Sequence, residues 1–232
     1  MISRAIAFQH MDNEPPGLFD EFLAARNATL DIIQLHRGEE IPSLAPYDFR
    51  LVMGGAMDVW EKTQYPWLAA EKAAIEEWTI NRNRPFFGVC LGMQLLAEAL
   101  GGKVGLAREA EVGIGKVSIV GRHGLISDLA RTFRMLQWHH AEVTVLPQGA
   151  EILGFSDITQ VQIMAVGANM VGTQFHGELT PELVTKWAEA SLGAGAYARV
   201  RAEVLPLMPK MRRVSEAMFN NLVDGKRLRA AA

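Results

Sequence analysis

The chain has 232 residues, 49% of them hydrophobic, and its 23 Lys or Arg against 26 Asp or Glu give a formal net charge of -3. That length suits one domain of ordinary size, and the charge balance offers no basic field to a nucleic-acid backbone or an anionic membrane surface. A single cysteine excludes an internal disulfide, the N-terminus lacks the charged flank and long apolar core of a signal peptide, and no uncharged apolar run reaches the roughly 18–20 residues that span a bilayer, so a cytoplasmic protein is expected.

In chain order, apolar runs at 4–10, 30–35, 49–55 and 85–90 predict strands, and the stretches between them predict helices over 17–27 and 65–83. In the second of these, Trp67, Ala70, Ala74 and Trp78 recur at spacings of three and four. Beyond residue 110 the texture changes to short β-rich segments at 115–121, 132–138, 141–147, 151–157, 161–167 and 169–175, separated by Gly, Pro, Asn or Asp. A helix follows over 180–192, with Thr180 as cap and Pro181 at its first position. This order predicts an α/β fold: a three-layer, flavodoxin-like, mostly parallel central sheet with flanking helices and additional strands in the second half. Residues 1–192 form the expected domain and 193–232 a C-terminal helical extension packed on it. That tail holds eight Lys or Arg against three Asp or Glu, and Met211, Val214, Met218 and Leu222 mark an apolar stripe. Pro206 and Pro209 argue against one continuous helix. Its basic face reads as a solvated surface or as a docking surface for a partner subunit.

The only cysteine lies in "PFFGVCLGMQLLAEALGG" (85–102), between an apolar run and a helical pattern. A lone cysteine is commonly a small buried hydrophobe. Here, however, "GVCLG" matches the nucleophile-elbow pattern with cysteine in the serine position. A sharp strand-to-helix turn crowds the residues two before and two after the nucleophile, and Gly88 and Gly92 relieve that crowding. The turn would also set the thiol of Cys90 at a helix N-terminus, which favours thiolate, and would aim the N–H of Leu91 at a developing oxyanion. "GTQFHGELT" (172–180) supplies a base and an orienting group: His176 and Glu178 are two apart and share a side if the segment is extended. In "VMGGAMD" (52–58), Gly54 and Gly55 end a strand and offer a second oxyanion donor, or simply a turn.

Together these three motifs resemble the class I, triad-type glutamine amidotransferase family, closest in texture to the glutaminase domain of GMP synthase and its stand-alone relatives, over about residues 1–192. The resemblance implies that Cys90 attacks the side-chain amide of glutamine, His176 shuttles the proton and Glu178 orients the imidazole. It also implies that Gln94 holds the amino-acid end of the substrate, and that the segment 137–147, with Gln137 and His139, lines the glutamine pocket. Two departures stand out. The family usually reads F-H-P-E where this chain has "FHGE", which puts Gly177 in place of proline, and His140 and Ala141 stand where glycine and aspartate are common. A metal is not expected, because the neighbouring His139 and His140 face opposite ways on a strand and no Cys or third His stands near.

The activity so implied needs no cofactor: hydrolysis of glutamine through a cysteinyl γ-glutamyl thioester, with ammonia supplied to a separate synthase. The chain has no phosphate-cradling loop of the G-x-x-x-x-G-K type, so the acceptor reaction would belong to another polypeptide. The altered pocket segment leaves open a stand-alone γ-glutamyl hydrolase or peptidase acting on a substituted γ-glutamyl amide. Gly177 and the basic tail leave open a non-catalytic binding or regulatory subunit.

Overall fold

The computed structural model describes residues 2–191, 198 and 201–226. Nine strands among them form one sheet in the order β2-β1-β3-β4-β9-β8-β7-β5-β6. The first half of the chain supplies β1 (Arg4–Gln9), β2 (Thr29–Gln34), β3 (Phe49–Val52) and β4 (Phe86–Val89), which pair in parallel. The second supplies β5 (Lys103–Ile119), β6 (Thr132–Val145), β7 (Ala150–Phe155), β8 (Ile163–Val166) and β9 (Met170–Thr173). β9 pairs parallel to β4 on one side and antiparallel to β8 on the other, so it joins the parallel half to the antiparallel half.

Alternation along the central strands sorts side chains into two core layers. In β1, Ala5 and Ala7 face one layer and Ile6 and Phe8 the other, all fully buried. The first layer is completed by α1 (Leu18–Ala24) and α4 (Pro181–Ser191), through Phe19, Leu23, Leu183 and Val184. The second is completed by α2 (Trp67–Glu76) and α3 (Leu91–Ala99), through Leu68, Ile75, Leu95 and Leu96. The three-layer α/β architecture expected from the sequence is therefore present.

Two boundaries differ from the expectation. The β-rich texture begins at Lys103, not after 110, and the two segments expected at 132–138 and 141–147 are one 14-residue strand, β6. β5 and β6 pair along most of their length with a register break between Leu106 and Glu111. The charged run there, "REAE", hides the strand from a reading based on apolar alternation. The expected tail falls partly outside the described residues. Its described part contains α5 (Met208–Val223), with Pro209 in the first turn, where no intrahelical N–H is needed. Met211, Met218, Phe219 and Leu222 are buried in the α1–α4 layer, and the Phe219 ring packs on Phe22 and Phe49 at 5.5 and 5.6 Å.

Candidate active site

β4 ends in the sharp turn that the glycine spacing predicts. Cys90 caps α3 with φ 50° and ψ −105°, a left-handed backbone that costs a non-glycine residue about 1–3 kcal/mol. A Cβ on Gly88 would come within 2.6 Å of the Gly92 backbone, and one on Gly92 would overlap the Val52 carbonyl. Only glycine lets strand, turn and helix approach this closely. The Cys90 N–H is tied to the Thr173 carbonyl of β9 at 2.7 Å. Cys90 is 6% exposed and borders a cavity of about 270 Å³ at the ends of the parallel strands, the usual ligand position in open α/β sheets.

His176 reaches the same cavity from the segment after β9. Its backbone N–H donates to Leu136 of β6 at 3.0 Å, and its Nδ1 lies 2.7 Å from Oε1 of Glu178. Both side chains are buried. Glu178 is held in turn by α1: Leu18 N–H donates to its carbonyl at 2.8 Å. Gly17, at φ 54°, makes room, because any Cβ there would overlap that same oxygen. Burial disfavours charge on His176, but attraction by Glu178 and the neighbouring Cys90 sulfur outweighs it and raises the pKa well above the ordinary 6.5. Nε2 of His176 nevertheless has no partner that satisfies hydrogen-bond geometry among the described residues, which leaves it open to a substrate.

The remaining expected residues divide. Gly55 lines the cavity, and a Cβ on it would come within 2.9 Å of the Leu91 side chain, so this loop sits against the head of α3. Gln94 also lines it, and its Nε2 donates to the Ala141 carbonyl at 3.1 Å and to Oε1 of Gln174 at 3.3 Å. His139 lines it with Nδ1 3.2 Å from the Ala141 carbonyl and Nε2 3.3 Å from Glu111, a carboxylate that also accepts from Ser156 and Gln162. Gln137 is the exception: it is buried beside Gly115 and does not line the cavity. Trp138, His139, His140 and Ala141, the next four residues of β6, all line the cavity, so the lining stretch begins one residue past Gln137.

Three residues at the site lie outside the roles that the motifs assign. Gln174 donates from Nε2 to the Cys90 sulfur at 3.4 Å, and its position two before His176 is the one clue the sequence offers. Trp187 of α4 stands edge-on to the His176 ring at 4.7 Å and is anchored to the Asn13 carbonyl. Glu14 lies against Gly54, where a Cβ would overlap its Oε2 and come within 3.2 Å of His176 Cε1, and that Oε2 is buried and unpartnered among the described residues. Burial raises its pKa above the ordinary 4.5, aided by Glu178 and opposed by His176 and His10.

Residues 19–188 match the class-I glutamine amidotransferase family, and the chain belongs to it. It is 40% identical over 101 residues to a glutamine-hydrolysing GMP synthase subunit of Methanocaldococcus jannaschii, a match covering 43% of this chain and 54% of the archaeal one. It is 27% identical over 177 residues to γ-glutamyl peptidase 2 of Arabidopsis thaliana, covering 72% of this chain and 70% of the peptidase. The chain thus spans about half the length of the archaeal relative and more of the plant enzyme. Among solved structures, a glutamine amidotransferase from Thermotoga maritima superposes with a TM-score of 0.88 at 25% identity, covering 96% of this chain and 98% of that one. These relatives make this an enzyme family. Among the described residues no helix is long and apolar enough to cross a membrane.

Proposed function

We propose that the protein hydrolyses the side-chain amide of glutamine through a cysteinyl γ-glutamyl thioester and passes the ammonia to a separate synthase subunit. The observation that carries this reading is a cysteine with left-handed backbone at the head of α3, sharing one cavity with an imidazole whose far nitrogen is held by a buried carboxylate at 2.7 Å. In the proposed chemistry the Cys90 thiolate adds to the γ-carbonyl carbon, and the carbonyl oxygen gains charge against the peptide N–H groups of Leu91 and of Gly54 or Gly55. The tetrahedral species collapses as His176 gives its proton to the leaving nitrogen, releasing ammonia and leaving the thioester. Water, deprotonated by His176, then adds to the thioester, and glutamate leaves as the thiolate is regenerated. Glu178 keeps the imidazole oriented and stabilises its charged form. Gln94, with His139 behind it, is proposed to face the amino-acid end of the substrate.

The separate synthase is inferred from the likeness to the archaeal GMP synthase subunit. The experiment is glutaminase turnover of the isolated protein, repeated with candidate synthase subunits, together with mass spectrometry of the acyl-enzyme. A γ-glutamyl adduct of about +129 Da, the order expected for one acyl group replacing a thiol proton, should map to Cys90, and Cys90→Ala should abolish both adduct and turnover. A Cys90→Ala variant with undiminished turnover would overturn the reading.

A substituted γ-glutamyl amide is the second reading. The longer match to the plant γ-glutamyl peptidase favours it, as does the departure at His140, whose ring pairs with Asp58 at 3.0 Å on the cavity rim. Comparison of glutamine with γ-glutamyl dipeptides separates the two, since inactivity on every dipeptide removes the second.

A further inference from the structure

Another buried histidine–glutamate pair lies behind the Gly54–Gly55 loop, outside the proposed bond-making steps. His10 follows β1; its Nδ1 is 2.9 Å from the Gly54 carbonyl oxygen, and its Nε2 is 2.9 Å from Oε1 of Glu71 on α2. Both side chains are fully buried, and the imidazole stacks on Trp67 at 5.1 Å with planes 3° apart. A carbonyl oxygen only accepts, so Nδ1 must carry a proton. The other proton is shared with Glu71, as imidazolium with carboxylate or as neutral imidazole with carboxylic acid. Either distribution leaves Nδ1 donating to Gly54.

That bond has a directional consequence. In a trans peptide the C=O and N–H point opposite ways, and the described chain has no cis peptide. With the Gly54 carbonyl drawn toward His10, the N–H of Gly55 is turned away from it, toward the cavity that Gly55 lines. Neither the Gly54 nor the Gly55 N–H meets a backbone acceptor among the described residues. Two successive glycines rotate freely, so without a restraint this peptide could present its carbonyl where a donor is needed. The loop is also wedged sterically, since a Cβ on Gly55 would come within 3.1 Å of His10 Cβ.

We propose that His10, held by Glu71, is a positioning residue that fixes the Gly54–Gly55 peptide so that the Gly55 N–H meets the substrate carbonyl oxygen as it becomes negative. This rests on the thioester chemistry proposed above. Its value would be preorganisation, a donor already aimed before charge develops.

The test compares His10→Phe, which keeps a stacked ring without the donor, with His10→Asn, whose Nδ2 can stand in for imidazole Nδ1. For each, kcat and KM on a γ-glutamyl amide are measured beside the rate at which iodoacetamide alkylates Cys90, a displacement at a saturated carbon that develops no oxyanion. His10→Phe is expected to lower kcat roughly 10- to 100-fold, less than outright loss of a donor, with KM and alkylation nearly unchanged, and His10→Asn to recover most of the loss. Unchanged kcat in His10→Phe, alkylation falling in parallel with turnover, or His10→Asn no better than His10→Phe would each overturn the proposal. Should His10→Phe not fold, His10→Leu, which also removes the donor to the Gly54 carbonyl, carries the same test: lowered kcat with normal alkylation supports it, unchanged kcat overturns it. Wild-type protein that alkylates normally yet hydrolyses no γ-glutamyl compound would instead sink the functional reading itself.

Discussion

Burial works against charge on His176, while Glu178 and the Cys90 sulfur favour it, and the balance lies well above pH 6.5. A base whose folded pKa exceeds its unfolded one stabilises the fold most fully below the unfolded value, and the stabilisation fades as the pH rises through the folded value. Glu178→Gln should therefore destabilise the protein more at pH 6 than at pH 10 in urea melts, and should lower kcat by about 10²- to 10⁴-fold, the range set by orienting carboxylates in triads. Unchanged kcat would remove Glu178 from the chemistry. Glu14 is an acid with a raised pKa, so its contribution is intact below about 4.5 and is lost as the pH rises through the folded value. Glu14→Gln should consequently raise the neutral-pH Tm by about 2–4 °C, the shift that about 1 kcal/mol brings in a chain of this size. Calorimetry should show the difference closing as the pH falls toward 4.

The glycine in "FHGE" has an explanation in the meeting of two elements. A Cβ on Gly177 would lie 2.9 Å from Oγ of Ser215, so α5 packs directly on the link between His176 and Glu178. The proline usual in the family would press on that hydroxyl, which donates to the Met211 carbonyl at 3.2 Å and would have to turn aside. Gly177→Pro should destabilise the fold by about 1–3 kcal/mol, as overpacking does, and Ser215→Gly should recover part of it; a double-mutant cycle on denaturation midpoints measures the coupling. Strict additivity would mean the two residues do not meet. Sequence spacing can announce Cys90, His176 and Glu178 because the elbow and the i, i+2 placement are local geometry. It can equally announce the central strands, whose double-sided burial leaves unbroken apolar runs. It cannot announce Ser215 against Gly177, Trp187 against His176 or Glu14 against Gly54, which depend on helices and loops packed from distant parts of the chain. Gln137 shows the limit from the other side: the segment is legible, but the cavity wall starts one residue later, at Trp138, while Gln137 sits against Gly115 of β5.

For the molecule as a whole, α5 is expected to be indispensable to the packing of residues 1–192. Burial of Met211, Met218, Phe219 and Leu222 at about 1.5–3 kcal/mol each amounts to about 6–12 kcal/mol, comparable with the about 5–15 kcal/mol stability of a whole domain. A chain ending at residue 192 should therefore be insoluble or molten, which circular dichroism and dye binding would reveal; a cooperative, native-like melt of that fragment would show that the extension is dispensable. The placement of β9 has a temporal consequence. It is the last of the described strands in chain order, yet it slots into the middle of the sheet beside β4 and ties the Cys90 turn through Thr173. A ribosome releases Cys90 long before His176 is synthesised, so under the proposed chemistry the nascent protein cannot turn over glutamine until that strand seats. On that reading, competence for the reaction and completion of the sheet are one event, reached through long-range pairing.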